Sequence, residues 1–125
     1  MKPLLALLVL LTAPATLMSV PAYATPPEIV AVRVTPSGGG QYRFDVTLRH
    51  ADTGWKHYAD QWDVLAPDGT VLGKRVLLHP HVDEQPFTRS LAGVRIPKGL
   101  KEVFIRAKDN VSGYAREQYR VVLPR

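Results

Sequence analysis

Apolar residues in this chain recur at every second position, and this alternation constrains the fold more than any other feature. The clearest case runs from Gln41 to Arg49, where Tyr42, Phe44, Val46 and Leu48 alternate with charged or polar residues. Because successive side chains of a strand point to opposite faces, this segment is predicted to be a strand with one buried face. No segment after residue 25 has the 3.6-residue period of an amphipathic helix. The chain is therefore predicted to be all-β.

Seven such segments follow one another, separated by short turns rich in Gly, Pro, Asp and Asn. They are residues 28–34, 41–49, 57–66, 70–78, 87–96, 101–108 and 116–123. Many short strands with turns between them are typical of an antiparallel β-sandwich. Gly73 is predicted to be a bulge that resets the alternation within the fourth strand. Residues predicted to face the core include Val30, Val32, Val34, Tyr58, Trp62, Val64, Leu72, Val76, Leu78, Val103, Ile105, Ala107, Tyr119, Val121 and Leu123.

The first 24 residues have the composition of an export signal. Lys2 supplies the positive start, residues 4–11 the apolar run, and Ala22-Tyr23-Ala24 the cleavage motif. We therefore predict a signal peptide at residues 1–24, one domain at residues 25–125, and a periplasmic or secreted protein. Since Pro14 breaks the apolar run and no later run is long enough, we expect no transmembrane segment after signal removal. The absence of Cys near the cleavage motif leads us to expect no lipid anchor.

Composition excludes several kinds of chemistry. With no Cys in the chain, disulfide, thiol and iron–sulfur chemistry are excluded, and both Met residues lie in the predicted signal. The formal net charge of +5 is spread along the chain, whereas nucleic-acid binding favours a concentrated basic stripe. The expected partner is a protein or another component of the cell envelope, and not a nucleic acid.

The predicted loops divide into two sets because antiparallel strands alternate in direction. Residues 50–57, 79–86 and 109–114 fall at one end of the domain, which we call the loop pole. The opposite end carries plain turns at residues 37–40, 67–69 and 97–99. All four histidines lie at the loop pole: His50, His57, His79 and His81. β-Sandwich domains commonly bind their partners through such loops.

The sequence therefore predicts a non-enzymatic binding or accessory module that uses the loop pole. Aromatic and charged side chains on these loops and beside them suit a protein contact. The candidate partner-binding residues are Trp55, Tyr58, His81, Glu84, Arg89 and Tyr114.

The alternative is a site for Cu(II) or Zn(II). His79 and His81 are two residues apart and point the same way in extended chain, and His57 and Asp60 fall near the same pole. Imidazole and carboxylate groups are ligands that these ions accept. The competing interpretation, which the sequence leaves open, is that these side chains are hydrogen-bonded loop residues with no cofactor.

Enzymatic chemistry has weaker support. His57, Asp60 and either Ser90 or Ser112 contain the groups of a catalytic triad, but the chain has no nucleophile-elbow motif. The adjacent carboxylates of Asp83 and Glu84 would point apart in an extended loop. We expect the protein not to be an enzyme.

Two stretches resemble known proteins. Residues 91–122, with Leu91-Ala92-Gly93-Val94-Arg95-Ile96-Pro97 and Val103-Phe104-Ile105-Arg106-Ala107, resemble the E–F–G portion of fibronectin type III and related immunoglobulin-like domains. Residues 54–62 and 79–90 resemble a group of small exported, uncharacterised bacterial proteins. The first resemblance implies an immunoglobulin-like β-sandwich. In the second group the loop after the sixth strand carries a His where this chain has Ser112, which implies that a site built with that His lacks one ligand here.

Overall fold

The alternating segments form two antiparallel sheets in the computed structural model, which describes residues 2–4, 6, 8–15 and 25–124. No helix occurs among these residues, which confirms the all-β prediction. The strands are β1 (Glu28–Gly38), β2 (Gln41–Arg49), β3 (Ala59–Leu65), β4 (Val71–Val76), β5 (Phe87–Arg95), β6 (Glu102–Asp109), β7 (Gly113–Tyr114) and β8 (Tyr119–Val122). Half of the predicted signal at residues 1–24, including the cleavage motif at residues 22–24, lies outside the described residues.

One sheet has the order β1-β2-β5, and the other has the order β4-β3-β6 with β7 and β8 both paired to β6. Within the part of the chain that is described, no helix is long and apolar enough to cross a lipid bilayer.

Both sheets contribute to one apolar core. β2 supplies Phe44, Val46 and Leu48, and the alternate residues Val103, Ile105 and Ala107 of β6 face them from the second sheet. All six are fully buried, as the period-two pattern predicts. Trp62 of β3 is the largest fully buried side chain of the domain. Burying each large apolar side chain contributes roughly 1.5–3 kcal/mol, so this shared core is the main source of stability.

The prediction of which residues face the core is wrong at several positions of β1 and β4, where the strand pairing is irregular. Ile29 packs on the core and Val30 is exposed, because the pairing of β1 with β2 shifts between Ile29 and Ala31. In β4 the pairing with β3 passes from Val71 to Gly73 and leaves out Leu72. The side chains after Leu72 therefore change faces, and the buried residue just after the strand is Leu77. Val76 and Leu78, predicted to face in, are exposed. A one-residue shift of register moves every following side chain to the other face of a sheet.

Gly73 faces the core, and the irregularity predicted at this glycine lies one residue earlier. It pairs with Val64 in the regular part of the ladder. A Cβ at this position would lie 3.0 Å from Cδ2 of Leu91 and 3.3 Å from Cγ2 of Val94, both on the opposite sheet. The sheets approach closely at this glycine, and a larger residue would require Leu91 and Val94 to shift by a few tenths of an ångström.

Among the described residues there are eight strands where seven were predicted, because the short strand β7 precedes the predicted seventh strand, whose central part is β8. β7 begins at Gly113, four residues after its partner Asp109, and lies within the predicted loop 109–114. The chain can return this quickly because Gly113 has a φ of 75°, a conformation that glycine adopts without steric cost. β8 then pairs with the first half of β6 along the same edge.

Candidate functional site

Hydrogen bonds join the three loops of the loop pole. The amide of His50 donates to Oε1 of Gln85 at 3.0 Å, and the amide of His81 donates to Oδ2 of Asp52 at 2.7 Å. Nδ2 of Asn110 donates to the carbonyl of Trp55 at 3.0 Å. At the opposite end the amide of Ile96 donates to the carbonyl of Gly40 at 3.0 Å. The loops 50–57, 79–86 and 109–114 therefore lie together, as strand alternation predicts.

A buried polar cluster lies beneath these loops. Nδ1 of His50 is 2.5 Å from Oδ1 of Asp52, and Nε2 of the same ring is 3.0 Å from Oδ2 of Asp109. Nε2 of His57 approaches that Oδ2 atom at 3.1 Å. The side chains of His50, Asp52 and Asp109 are almost completely buried, whereas that of His57 is 20% exposed. We call these four residues the His-Asp cluster.

Two members of the His-Asp cluster are buried because they continue the alternation of inward and outward side chains in their strands. His50 follows Val46 and Leu48 in the inward phase of β2, and it lies one residue beyond the strand end. Asp109 continues the inward phase of Ile105 and Ala107 at the end of β6. The polar cluster is thus an extension of the apolar core toward the loop pole.

Asp109 is ionised across the ordinary pH range. Burial opposes its charge, but the backbone amides of Ser112 and Val111 and the ring of His57 donate to it and together hold its pKa at about 2. Its Oδ1 atom accepts both amides, with Val111 N at 2.8 Å. Its Oδ2 atom remains directed at the two imidazoles.

Asp52 fixes the orientation of His50. Its Oδ1 atom also accepts the amide of Ala59 at 3.0 Å, and its Oδ2 atom accepts the amide of His81. Carboxylate oxygens of an ionised Asp only accept hydrogen bonds, so a ring nitrogen of His50 donates to Asp52. The ring is thus held between the carboxyl groups of Asp52 and Asp109.

His79 and His81 form a separate pair. Their rings are 4.6 Å apart, and the ring of His81 stacks on Phe87 at 3.8 Å. Nε2 of His81 lies 2.8 Å from a guanidinium nitrogen of Arg89. Burial, followed by the charges of Arg89 and His79, lowers the pKa of His81, because each disfavours a second proton on the ring. His81 therefore accepts from Arg89 as a neutral imidazole.

The predicted ligand set His57, His79, His81 and Asp60 is not brought together. Both carboxylate oxygens of Asp60 are occupied by Nζ of Lys108, at 2.7 and 2.9 Å. Within the described ranges, the group of three candidate ligand atoms that lie within 4.8 Å of one another comes from His50, His57 and Asp109. Of the four predicted ligands, only His57 belongs to it.

The predicted partner-binding residues differ in accessibility. Trp55 is 66% exposed and its ring meets Tyr58 edge to face at 5.6 Å. Glu84 is exposed and pairs with Arg89 at 3.5 Å. By contrast His81 is buried, so its ring is not available to a partner in this conformation.

Tyr114, the remaining predicted residue, belongs to a second polar group on the outer face of β3 and β6. Its hydroxyl donates to Oδ2 of the fully buried Asp63 at 2.8 Å, and the guanidinium of Arg106 lies over its ring at 4.0 Å. Nε of Arg106 donates to the same Asp63 oxygen at 2.8 Å. Burial and the bond to Asp63 raise the pKa of Tyr114.

Sequence reasoning missed His50, Asp52 and Asp109 as site residues. The signal for two of them was present, because His50 and Asp109 lie in phase with the inward residues of β2 and β6. A charged residue in a buried phase indicates a partnered polar site. Asp52 carries no such signal, since its burial depends on the path of the loop.

Comparisons with known proteins give one match. No family model and no solved structure matches the chain. Over 87 residues, 70% of this chain, it is 42% identical to a protein of Halomicrobium mukohataei named "Putative lipoprotein". The aligned region makes up 42% of that relative, so the chain spans less than half of its length.

Proposed function

We propose that this protein is an exported, envelope-associated accessory module that binds a protein partner through the loop pole. In this proposal the domain is an immunoglobulin-like β-sandwich of the fibronectin type III kind. The loop pole contacts the partner and the protein is not an enzyme.

The strand grouping supports the proposed fold. When the strands are lettered A to G with β4 as C′, and β7 and β8 together as G, the sheets read A-B-E and C′-C-F-G. Immunoglobulin-like domains likewise place A, B and E in one sheet and C, F and G in the other. They also bury a Trp on strand C, the position that Trp62 holds on β3.

The observation that carries the partner-binding proposal is the set of apolar side chains exposed on the loop pole. Trp55, Leu78, Val82 and Val111 are each more than half exposed and lie on loops that the hydrogen bonds above hold in place. Among the described residues, the turns 37–40, 67–69 and 97–99 expose no large apolar side chain. Exposed apolar groups on a rigid support are typical of protein-binding surfaces.

The relative supports export. A lipoprotein is a protein of the cell envelope, and the likeness covers 70% of this chain, which includes most of the proposed domain. This agrees with the signal predicted at residues 1–24. In this proposal the exported protein is periplasmic or secreted.

The position of Ser90 supports a non-enzymatic role. Its hydroxyl donates to Asp45 and accepts from Arg43 at 3.1 Å, on the face of β2 and β5 that points away from the core. Neither partner is a histidine. The hydroxyl of Ser90 therefore lacks the histidine partner of a Ser-His catalytic pair.

Crosslinking in the envelope of the native host, followed by affinity purification, tests this function. Trp55→Ala and Val111→Ala should each reduce recovery of the partner. Val122→Ala is the matched control, because Val122 is 65% exposed on β8, away from the loops. A partner recovered equally with all three variants, or no partner at all, would contradict the proposal.

A further inference from the structure

We propose that the His-Asp cluster is a binding site for one divalent transition-metal ion, with His50, His57 and Asp109 as ligands and Zn(II) as the ion that fits best. The site is distinct from the ligand set predicted from the sequence. It also goes beyond the proposed function, since ion binding does not depend on a protein partner.

Three atoms converge in the geometry that such an ion needs. Nε2 of His50 and Nε2 of His57 both face Oδ2 of Asp109, at 3.0 and 3.1 Å. The two imidazole rings are nearly perpendicular, with centroids 4.7 Å apart, so both can direct a nitrogen at one point. An ion that binds N and O at about 2 Å in a tetrahedron separates its ligand atoms by roughly 3.3 Å. The two N–O distances therefore need to lengthen by only a few tenths of an ångström, and all three ligand atoms lie within 4.8 Å of one another.

Two ligand residues have a second polar atom that already has a partner. Oδ1 of Asp109 accepts the amides of Val111 and Ser112, which leaves Oδ2 for an ion. Nδ1 of His50 donates to Asp52, which fixes the ring with Nε2 turned inward. Histidines that bind metal ions usually donate their other nitrogen to a carboxylate in this way.

Charge balance favours a divalent ion. Asp52 and Asp109 place two carboxyl groups in a buried site, and the charge of a divalent ion would offset them. Two imidazoles and one carboxylate are a ligand set found in Zn(II) sites that keep an open fourth position. The side chain of His57 is 20% exposed, so the cluster is in contact with solvent on the side of this ligand.

Titration of the purified protein with Zn(II) and with Cu(II), followed by calorimetry, tests the site. We expect one ion per chain, and no competition from Mg(II), which prefers oxygen ligands. His57→Ala removes a ligand and should weaken the affinity about tenfold or more, as losses at metal sites typically do. His79→Ala is the matched control, because His79 is an exposed histidine of the same pole, and it should bind the ion as the native protein does.

A second measurement needs no variant and so does not depend on folding of His57→Ala. Long-range proton–nitrogen NMR spectra of the native protein should show Zn(II) shifting the Nε2 resonances of His50 and His57 but not the ring resonances of His79. Equal affinity in His57→Ala and the native protein would overturn the proposal. So would a loss of binding in His79→Ala alone, or no binding of either ion to the native protein.

Discussion

Asp52 accepts the backbone amide of His81 at 2.7 Å and thereby joins two loops that are 29 residues apart in the sequence. The same carboxylate accepts the amide of Ala59 and the ring of His50. A single buried side chain thus satisfies donors from the first loop, the start of β3 and the second loop. Several of the properties we expect of this protein follow from contacts of this kind.

Replacing Asp52 should destabilise the fold strongly. In Asp52→Ala the ring of His50 and two amides lose their buried acceptor, so we expect the free energy of unfolding to fall by about 3–5 kcal/mol. Urea denaturation measures the change. Asp83→Ala, an exposed carboxylate of the same pole, serves as control and should stay within about 0.5 kcal/mol of the native protein. Equal losses in both variants would show that Asp52 does not hold the loops.

Gly73→Val should disturb the packing of the two sheets. The added side chain would meet Leu91 and Val94, so we expect a loss of roughly 1–3 kcal/mol in the free energy of unfolding. Lys74→Val places the same side chain on the next residue, which is exposed, and should be nearly neutral. Thermal unfolding of the two variants gives the comparison. Similar midpoints would contradict the close approach at Gly73.

Tyr114 should make stability depend on pH in the alkaline range. Burial and the bond to Asp63 raise the pKa of the folded phenol above the ordinary value of 10.0. The unfolded chain then ionises first, so the stability due to Tyr114 is complete below pH 10 and is lost as the pH rises through the folded pKa. Denaturation at a series of pH values gives the free energy of unfolding. Across this range it should fall more steeply with rising pH for the native protein than for Tyr114→Phe. The same dependence on pH in both proteins would contradict a role of the bond between Tyr114 and Asp63.

Ser90→Ala should raise the pKa of Asp45. The hydroxyl of Ser90 is the main cause that lowers this pKa, burial opposes it, and Arg43 lowers it further. The hydrogen bond between Ser90 and Asp45 contributes fully to stability above pH 3.8, the ordinary pKa of an Asp side chain. This contribution is lost as the pH falls through the lower pKa that Asp45 has in the folded protein. NMR titration of the Asp45 carboxyl carbon measures the shift. Thr88→Ala removes a hydroxyl from the same strand and should leave Asp45 unchanged.

The regular strands were predictable because burial in them follows the alternation alone. In β2 and β6 every second residue is buried without interruption. In β1 and β4 a shift of pairing decides which face Val30 and Val76 occupy. Such a shift depends on the partner strand, so local pattern cannot reveal it.

The end of the domain that carries the polar chemistry was predictable, but the composition of the cluster was not. Strand direction places His50 and His57 at one pole whatever the loops do. Whether His57 meets His81 or Asp109 depends on loop paths, and these are set by hydrogen bonds such as that from His81 to Asp52. These contacts join residues that are distant in the sequence, so the spacing of residues along the chain does not predict them.

The cross-links among the loops also bear on protein engineering. In antibody domains each binding loop can be exchanged largely by itself, since the framework and not its neighbours holds it. Here Asp52 ties the first loop to the second, and Asp109 ties the first to the third. The three loops therefore depend on one another: a graft that replaces the first loop would remove contacts that hold the other two, and a graft of either other loop would remove contacts that hold the first.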